Sequence, residues 1–133
     1  MLPKVKSKLY FSGKDIDFQC LSKQLNLEAT KVRKKNEWPQ VSIDSGLATD
    51  FWMYQIGEEE CTAISFQLDK LEDIFLPKLN VIRELINTYS LEINVVVVIK
   101  TKTGNAPELV LTRENIKFLS LIHAEIGFDF YID

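Results

Sequence analysis

The sequence predicts an α+β protein, a two-layer sandwich whose mixed, mostly antiparallel sheet carries its helices mainly on one face. The main observation lies in residues 68–102, where a long amphipathic helix pattern runs into the alternating strand LEINVVVVIKTK. The chain also opens with an alternating strand and closes with a strand-helix-strand pattern, whose crossover is expected to be right-handed. We therefore expect ferredoxin-like connections.

In the first half, residues 6–11 predict a strand, and Ser12-Gly13-Lys14-Asp15 predicts the turn after it. Residues 18–25 have helical spacing, with Asp17 as the cap and Asn26 as a left-handed terminator. A long connection over 28–40 is expected next, with a short extended segment at 41–43. Apolar residues on both sides predict a strand at 51–56, and the carboxylates of 57–60 predict a solvated loop that ends it.

In the second half, residues 61–66 fit either a strand or the start of a helix, and the later helical spacing favours the helix, with Ser65 as a candidate cap. Pro77 should break that helix and start a second arm that ends at Thr88. A strand follows at 91–102, then a hairpin turn at 103–107 and a returning strand at 108–111. Thr112 should cap a last helix that ends at Gly127, before a final strand over 128–133.

Composition limits the classes of function. The chain has 133 residues, 46% of them hydrophobic, a formal charge of -3 and a pI near 5.2. These values predict a single globular domain that needs no cofactor, and they argue against nucleic acid as a partner, because tight binding there requires many Lys and Arg contacts to phosphates. We expect a cytoplasmic protein with reduced cysteines and no membrane partner, either a monomer or a homodimer.

FSGKDIDFQCLSKQLNLEAT has the pattern of an opening strand, a Ser-Gly turn and a first helix, and APELVLTRENIKFLSLIHAEIGFDFYID that of a closing strand, a helix and an Asp-containing end. Trp52 and the helical stripe at 79–89 fit between them. Together these segments resemble the bacterial family known as domain of unknown function 4279. The resemblance implies a family fold over nearly the whole chain but implies no activity. The chain departs from the family pattern at Asn26 and Asn36, where glycine is expected, and at Ala29, where proline is expected.

The candidate site residues are few, and each has a structural explanation beside the functional one. The basic cluster of Lys31, Arg33, Lys34 and Lys35 is either a solvated loop or a contact to a phosphate or to an acidic partner surface, where Trp38 adds an aromatic anchor. His123, the only histidine, is either a partly buried structural residue or a general base. For Asp129 the sequence leaves three alternatives open: a local cap or ion pair, a solvent-exposed side chain, or a position lining a cleft. No metal ligands or catalytic residues are predicted.

Three functions compete. The leading hypothesis is a noncatalytic protein-binding module, and one specific form is an immunity-type protein that neutralises a toxin. The alternative is a small-molecule binder or hydrolase that uses Asp, Glu and His123. The third is a homotypic assembly through the outer face of the strand at 91–102, centred on Val96 and Val98.

Overall fold

A computed structural model describes residues 2–133 as one five-stranded sheet with helices packed against it. Strand β1 is central, antiparallel to β3 on one side and to β4 on the other. Strand β2 pairs antiparallel with β3, and β5 pairs parallel with β4. The strand order is β2-β3-β1-β4-β5, and the strands are β1 (Lys4–Gly13), β2 (Lys31–Arg33), β3 (Asp50–Glu60), β4 (Glu92–Thr101) and β5 (Ala124–Ile132).

The helices confirm the predicted class, an α+β fold with a mixed, mostly antiparallel sheet. They are α1 (Phe18–Leu25), α2 (Gln40–Asp44), α3 (Ser65–Phe75), α4 (Leu79–Tyr89) and α5 (Arg113–Leu121). Every one of these except the short α2 contributes buried residues to the same core cluster. Since these residues meet one side of the sheet, the opposite side carries no long helix.

Strict alternation along the central strands separates the two sides of the sheet. On β1, Val5, Leu9 and Phe11 are fully buried, and the lysines between them point to the other side. Phe11 packs its ring edge against Trp52, with the ring centroids 5.6 Å apart, and this contact lies at the centre of the core. The inward face predicted for the fourth strand is also confirmed, because Leu91, Ile93, Val95, Val97 and Ile99 are all buried.

Local capping chemistry explains the boundaries that the sequence predicts well. The Asp17 carboxylate accepts a hydrogen bond from Cys20 N at 3.1 Å, and Asn26 ends α1 with a φ of 53°. Pro77 lies in a short 3-10 turn that separates α3 from α4. Thr112 accepts from Asn115 N at 3.0 Å and begins α5 as a capping box.

Three predictions for the first part of the chain were wrong. Residues 41–43 belong to the short helix α2, which begins directly after Pro39 at the cap position. Strand β2 was not predicted within the expected connection. Strand β3 continues through the carboxylates to Glu60, since β1 pairs with it there, and Lys100 and Lys70 offset the charges of Glu58 and Glu59 at 3.1 Å and 2.6 Å.

The second part of the chain needs three corrections. The helix predicted to start within residues 61–66 begins at Ser65. Its cap position is therefore Ile64, and Ser65 is the first helical residue instead of the cap. Residues 108–111 form no strand, and only Glu108 makes a single parallel bridge, to Ala63. Helix α5 ends at Leu121 instead of Gly127, because His123 takes the left-handed conformation with a φ of 55° and β5 begins at once.

Glu72 on α3 has a carboxylate oxygen, Oε1, that is buried without a hydrogen bond among the described residues, and replacing this residue measures what that burial costs in stability. Burial together with Asp69, Asp73 and Glu114 raises the pKa of its carboxyl. We expect Glu72→Gln to raise the free energy of unfolding at pH 7 by about 0.5–1 kcal/mol.

The gain should shrink as the pH falls through the raised pKa and vanish below the ordinary value of 4.5, where both folded and unfolded Glu72 are protonated. Urea unfolding at several pH values measures the difference in the free energy of unfolding between the wild type and Glu72→Gln. Glu84→Gln, at an exposed position of α4, is the matched control and should change stability little. A destabilised Glu72→Gln protein at pH 7 would contradict the argument.

Candidate functional site

The predicted basic cluster is divided by the fold, and Lys34 serves an internal contact. Its Nζ atom donates to Asp50 Oδ2 at 3.0 Å and to Ile16 O at 2.7 Å, and it lies 4.6 Å from the centroid of the Phe18 ring. Lys35 contributes mainly its backbone, whose N–H donates to Asp50 Oδ1 at 2.8 Å. The charge of Lys34 is therefore already partnered.

Asp50 is the residue on which the contacts of this cluster converge, and the sequence analysis did not identify it. Its carboxylate is almost fully buried and also accepts from Ile16 N at 3.0 Å. Burial alone would raise its pKa, but the hydrogen bonds from Ile16, Lys35 and Lys34 outweigh burial and hold the pKa below its ordinary value. The available signal was a lone aspartate at the start of an apolar strand.

Arg33 and Trp38 form a second, separate group. The Arg33 guanidinium lies 5.0 Å from the centroid of the Trp38 ring, and Trp38 Nε1 donates to Thr49 O at 2.7 Å. The Trp38 ring also meets Phe51 edge-on, with the centroids 6.1 Å apart. Trp38 thus covers one end of the helix-free side of the sheet.

His123 and Asp129 are not brought together. His123 lines a small cavity of about 240 Å³ with Arg83, Ile86 and Asn87, on the side of α4. Asp129 belongs to the opposite side of the sheet, where its charge acts on Lys8 and Tyr10. Six residues of extended chain separate them, roughly 20 Å at the usual rise of a strand. The arrangement gives His123 no help from Asp129 as a general base.

The helix-free side of the sheet gathers basic and aromatic residues. Tyr10 lies opposite Met53, which lies opposite Lys31 on β2, so these side chains share one row and one side. Lys8 lies in the next row, opposite Gln55 on one side and Val96 on the other. We call this surface the lysine face, and its members are Lys6, Lys8, Tyr10, Lys31, Gln55 and Asn94.

The lysine face gathers positive charge around Lys8, and Glu125 and Asp129 of β5 lie on the same side of the sheet. Partial burial lowers the pKa of Lys8, the positive charges of Lys6 and Lys31 lower it further, and Asp129 opposes them. Burial and the charge of Asp129 raise the pKa of the Tyr10 hydroxyl. Lys8 therefore lies where an additional negative charge would stabilise its ammonium form.

The surface beside Lys8 is low where β5 carries a glycine. Gly127 lies opposite Val96 in the row of Lys8, and a Cβ atom added there would meet nothing within 4 Å. The row therefore ends without a side chain on β5. A partner has room to approach Lys8 from this side.

A cleft of about 490 Å³ opens elsewhere, between the end of β1 and the end of α4. Its lining includes hydroxyl groups from Ser12, Thr49, Thr88 and Ser90. Tyr89 forms part of the wall, and its hydrogen bond with Cys20, together with partial burial, raises the pKa of Tyr89 to about 12. No histidine or cysteine lines this cleft, and its charged side chains are Lys14, Asp15 and Glu92.

Residues 2–133 hold no group of His, Cys, Asp and Glu side chains arranged to bind a metal ion. None of the helices in that range combines the length and the apolar character that crossing a bilayer requires.

These observations define the class, a small α+β protein with a mixed five-stranded sheet, one side of which is covered by helices while the other carries the lysine face. The particular family follows from comparison of sequences. The chain belongs to the domain of unknown function 4279 family, whose sequence model matches residues 3–133. Searches of curated proteins and of solved structures found no match. The resemblance noted in the sequence is thereby confirmed.

Asp50 provides a test of how the loops at this end are held. Replacing it with Asn removes the charge that three donors share, and we expect Asp50→Asn to lower the free energy of unfolding by about 2–3 kcal/mol at pH 7. Because the folded pKa is depressed, the contribution of Asp50 is complete above its ordinary value of 3.8 and is lost as the pH falls through the lower folded pKa.

The difference between wild type and Asp50→Asn should therefore stay constant near neutral pH and narrow below about pH 4. Denaturant unfolding between neutral pH and acidic pH measures this difference in the free energy of unfolding. Asp44→Asn, at an exposed position of α2, is the control and should show a much smaller loss. A difference that grows on acidification would refute the assigned role.

Proposed function

We propose that the protein is a noncatalytic protein-binding module that docks its lysine face onto an acidic surface of another protein. The observation that carries the proposal is the grouping of Lys6 and Lys31 around Lys8, beside Tyr10, on the side of the sheet opposite the helices. A rigid sheet holds these groups in place before any partner arrives. Less conformational entropy is then lost on binding.

Charge favours an acidic partner. The chain as a whole carries a formal charge of -3, yet Lys6 and Lys31 lie near enough to Lys8 to add to the lowering of its pKa that burial causes. Carboxylates of a partner would relieve the repulsion of Lys8 by Lys6 and Lys31. Complementary charge of this kind raises the rate of association and selects among partners.

Tyr10 is suited to the centre of such an interface. It is half-buried, and its ring packs edge-on against Phe51 with the centroids 5.3 Å apart, which fixes its orientation. Tyrosine is enriched at binding hot spots because it combines apolar area with a hydroxyl group. Gln55 and Asn94 add amide groups on either side.

The acidic partner is more consistent with a protein than with nucleic acid. Nucleic-acid affinity grows with the number of phosphates neutralised, and the lysine face offers only a few cations within a chain of pI near 5.2. Neutralisation of a toxin is one specific form of the proposal. In that form the lysine face would cover an acidic region of the toxin rather than a basic one.

A small-molecule binder is the second candidate, and one observation favours it, the cleft of about 490 Å³ with its hydroxyl lining. Its volume falls in the range of ligand pockets. It ranks below protein binding because the cleft is open to solvent rather than enclosed. His123 does not contribute to it.

The proposal is tested by affinity capture from the source cells with the tagged wild type and with Lys8→Glu. We expect the wild type to retain one acidic protein in stoichiometric amount at low salt, and high salt to release it. Lys8→Glu should retain at least about tenfold less, since it places a carboxylate against those of the partner.

Lys117→Glu is the matched control, because it makes the same charge change at an exposed position on α5, away from the lysine face. It should retain the partner as the wild type does. Equal losses in both variants would mean that only overall charge matters and would reject the lysine face. Retention of nucleic acid, removed by nuclease treatment, would reject a protein partner.

A further inference from the structure

The two edges of the sheet are unequal. Strand β2 has only three residues, and two of them are Lys31 and Arg33, which is how natural proteins protect an edge against further pairing. Strand β5 has nine residues, contains no proline and follows β4 in unbroken register. Its outer edge therefore presents a long row of unpaired backbone groups.

The exposed edge also carries apolar side chains. Phe128, Phe130 and Ile132 lie opposite the buried or core-facing positions of β4, so they project on the helix side, yet they are 41%, 43% and 61% exposed. Both charged residues of β5, Glu125 and Asp129, lie on the other side. No lysine or inward charge blunts the helix side of this edge.

We propose that β5 is a homodimer interface, at which a second copy of the chain pairs antiparallel along β5 about a two-fold axis at Phe128. The axis is perpendicular to the sheet, so both copies keep their helices on the same side. This inference is independent of the proposed protein partner.

The sequence of β5 is self-complementary in that register. On the helix side, Phe128 meets its own copy, Ile126 meets Phe130, and Ala124 meets Ile132, so every pair is apolar. On the other side, Glu125 meets Tyr131 and Gly127 meets Asp129. All nine residues of the strand find a partner, and no like charges lie opposite each other.

Other positions of the two-fold axis along β5 give less favourable side-chain pairs. An axis at Asp129 places that carboxylate opposite its own copy, and an axis at Gly127 places Glu125 opposite Asp129. An axis at Ile126 or Phe130 keeps apolar pairs together but leaves residues at one end of the strand unpaired. A second copy of this chain is thus a better match for β5 than an arbitrary strand.

The outer face of β4, where the sequence suggested a homotypic contact, is poorly exposed at its centre. Val98, at the centre of the predicted outer patch of β4, is only 5% exposed. It offers little surface to another copy, and β5 takes over the role.

Sedimentation velocity between about 1 and 100 μM tests the dimer, since interfaces of biological strength persist in this range. The wild type should sediment as a dimer, and Phe128→Lys should weaken association by at least about 100-fold by placing two ammonium groups against each other. Val41→Lys introduces the same charge at an exposed apolar position on α2 and should remain dimeric. A wild type that stays monomeric at the highest concentration would overturn the proposal.

Disulfide cross-linking tests the register without relying on a disruptive change. Residues directly opposite in an antiparallel pair have Cα atoms about 4.5–5.5 Å apart, within the span of a disulfide. Phe128→Cys should therefore form a covalent dimer on mild oxidation, whereas Phe130→Cys, offset along the strand from its own copy, should not. The wild type, whose Cys61 is buried and Cys20 half-buried, serves as the blank. Cross-linking of Phe130→Cys in place of Phe128→Cys would overturn the proposed axis.

Discussion

The structure depends above all on the strict alternation of β1. This strand is hydrogen-bonded on both sides, and its odd positions Val5, Leu9 and Phe11 form the floor of the core while its even positions Lys6, Lys8 and Tyr10 form the lysine face. A slip of one residue would exchange the two sets and place ammonium groups in the core. The same pairing therefore determines the interior of the protein and its proposed binding surface.

Asp50 extends this order to the loops. The carboxylate joins three backbone and side-chain donors from two separate connections at the start of β3. With the loop held in this way, Arg33 and Trp38 stay stacked beside Phe51 at the end of the sheet. A polar group that looks unremarkable in the sequence thus sets the border of the lysine face.

The sequence predicted the elements whose signals are local. Helix α1 could be bounded at both ends because Asp17 and Asn26 each act on the backbone next to them, and the inward face of β4 follows from its own alternation. The element boundaries that were predicted wrongly depend on contacts between residues far apart in the sequence. The continuation of β3 to Glu60 requires β1 and the lysines that neutralise its carboxylates, and the early start of β5 requires the parallel ladder with β4.

The candidate site was predictable only in part for the same reason. Lys34 and Lys35 stood out by charge, but their role is decided by Asp50, which follows them by about fifteen residues and meets them only in the fold. Lys6 and Lys8 were visible as the polar half of an alternating strand. Their grouping with Lys31 required the strand order, which no local pattern contains.

The short, basic β2 has a consequence for how large an assembly can become. A sheet with two receptive edges can add copies without limit and grow into a ribbon, the route by which exposed strands lead to fibres. Here the far edge is three residues long and bears Lys31 and Arg33, whose charges repel the same edge of another copy. Growth by strand addition would therefore stop at the dimer proposed for β5.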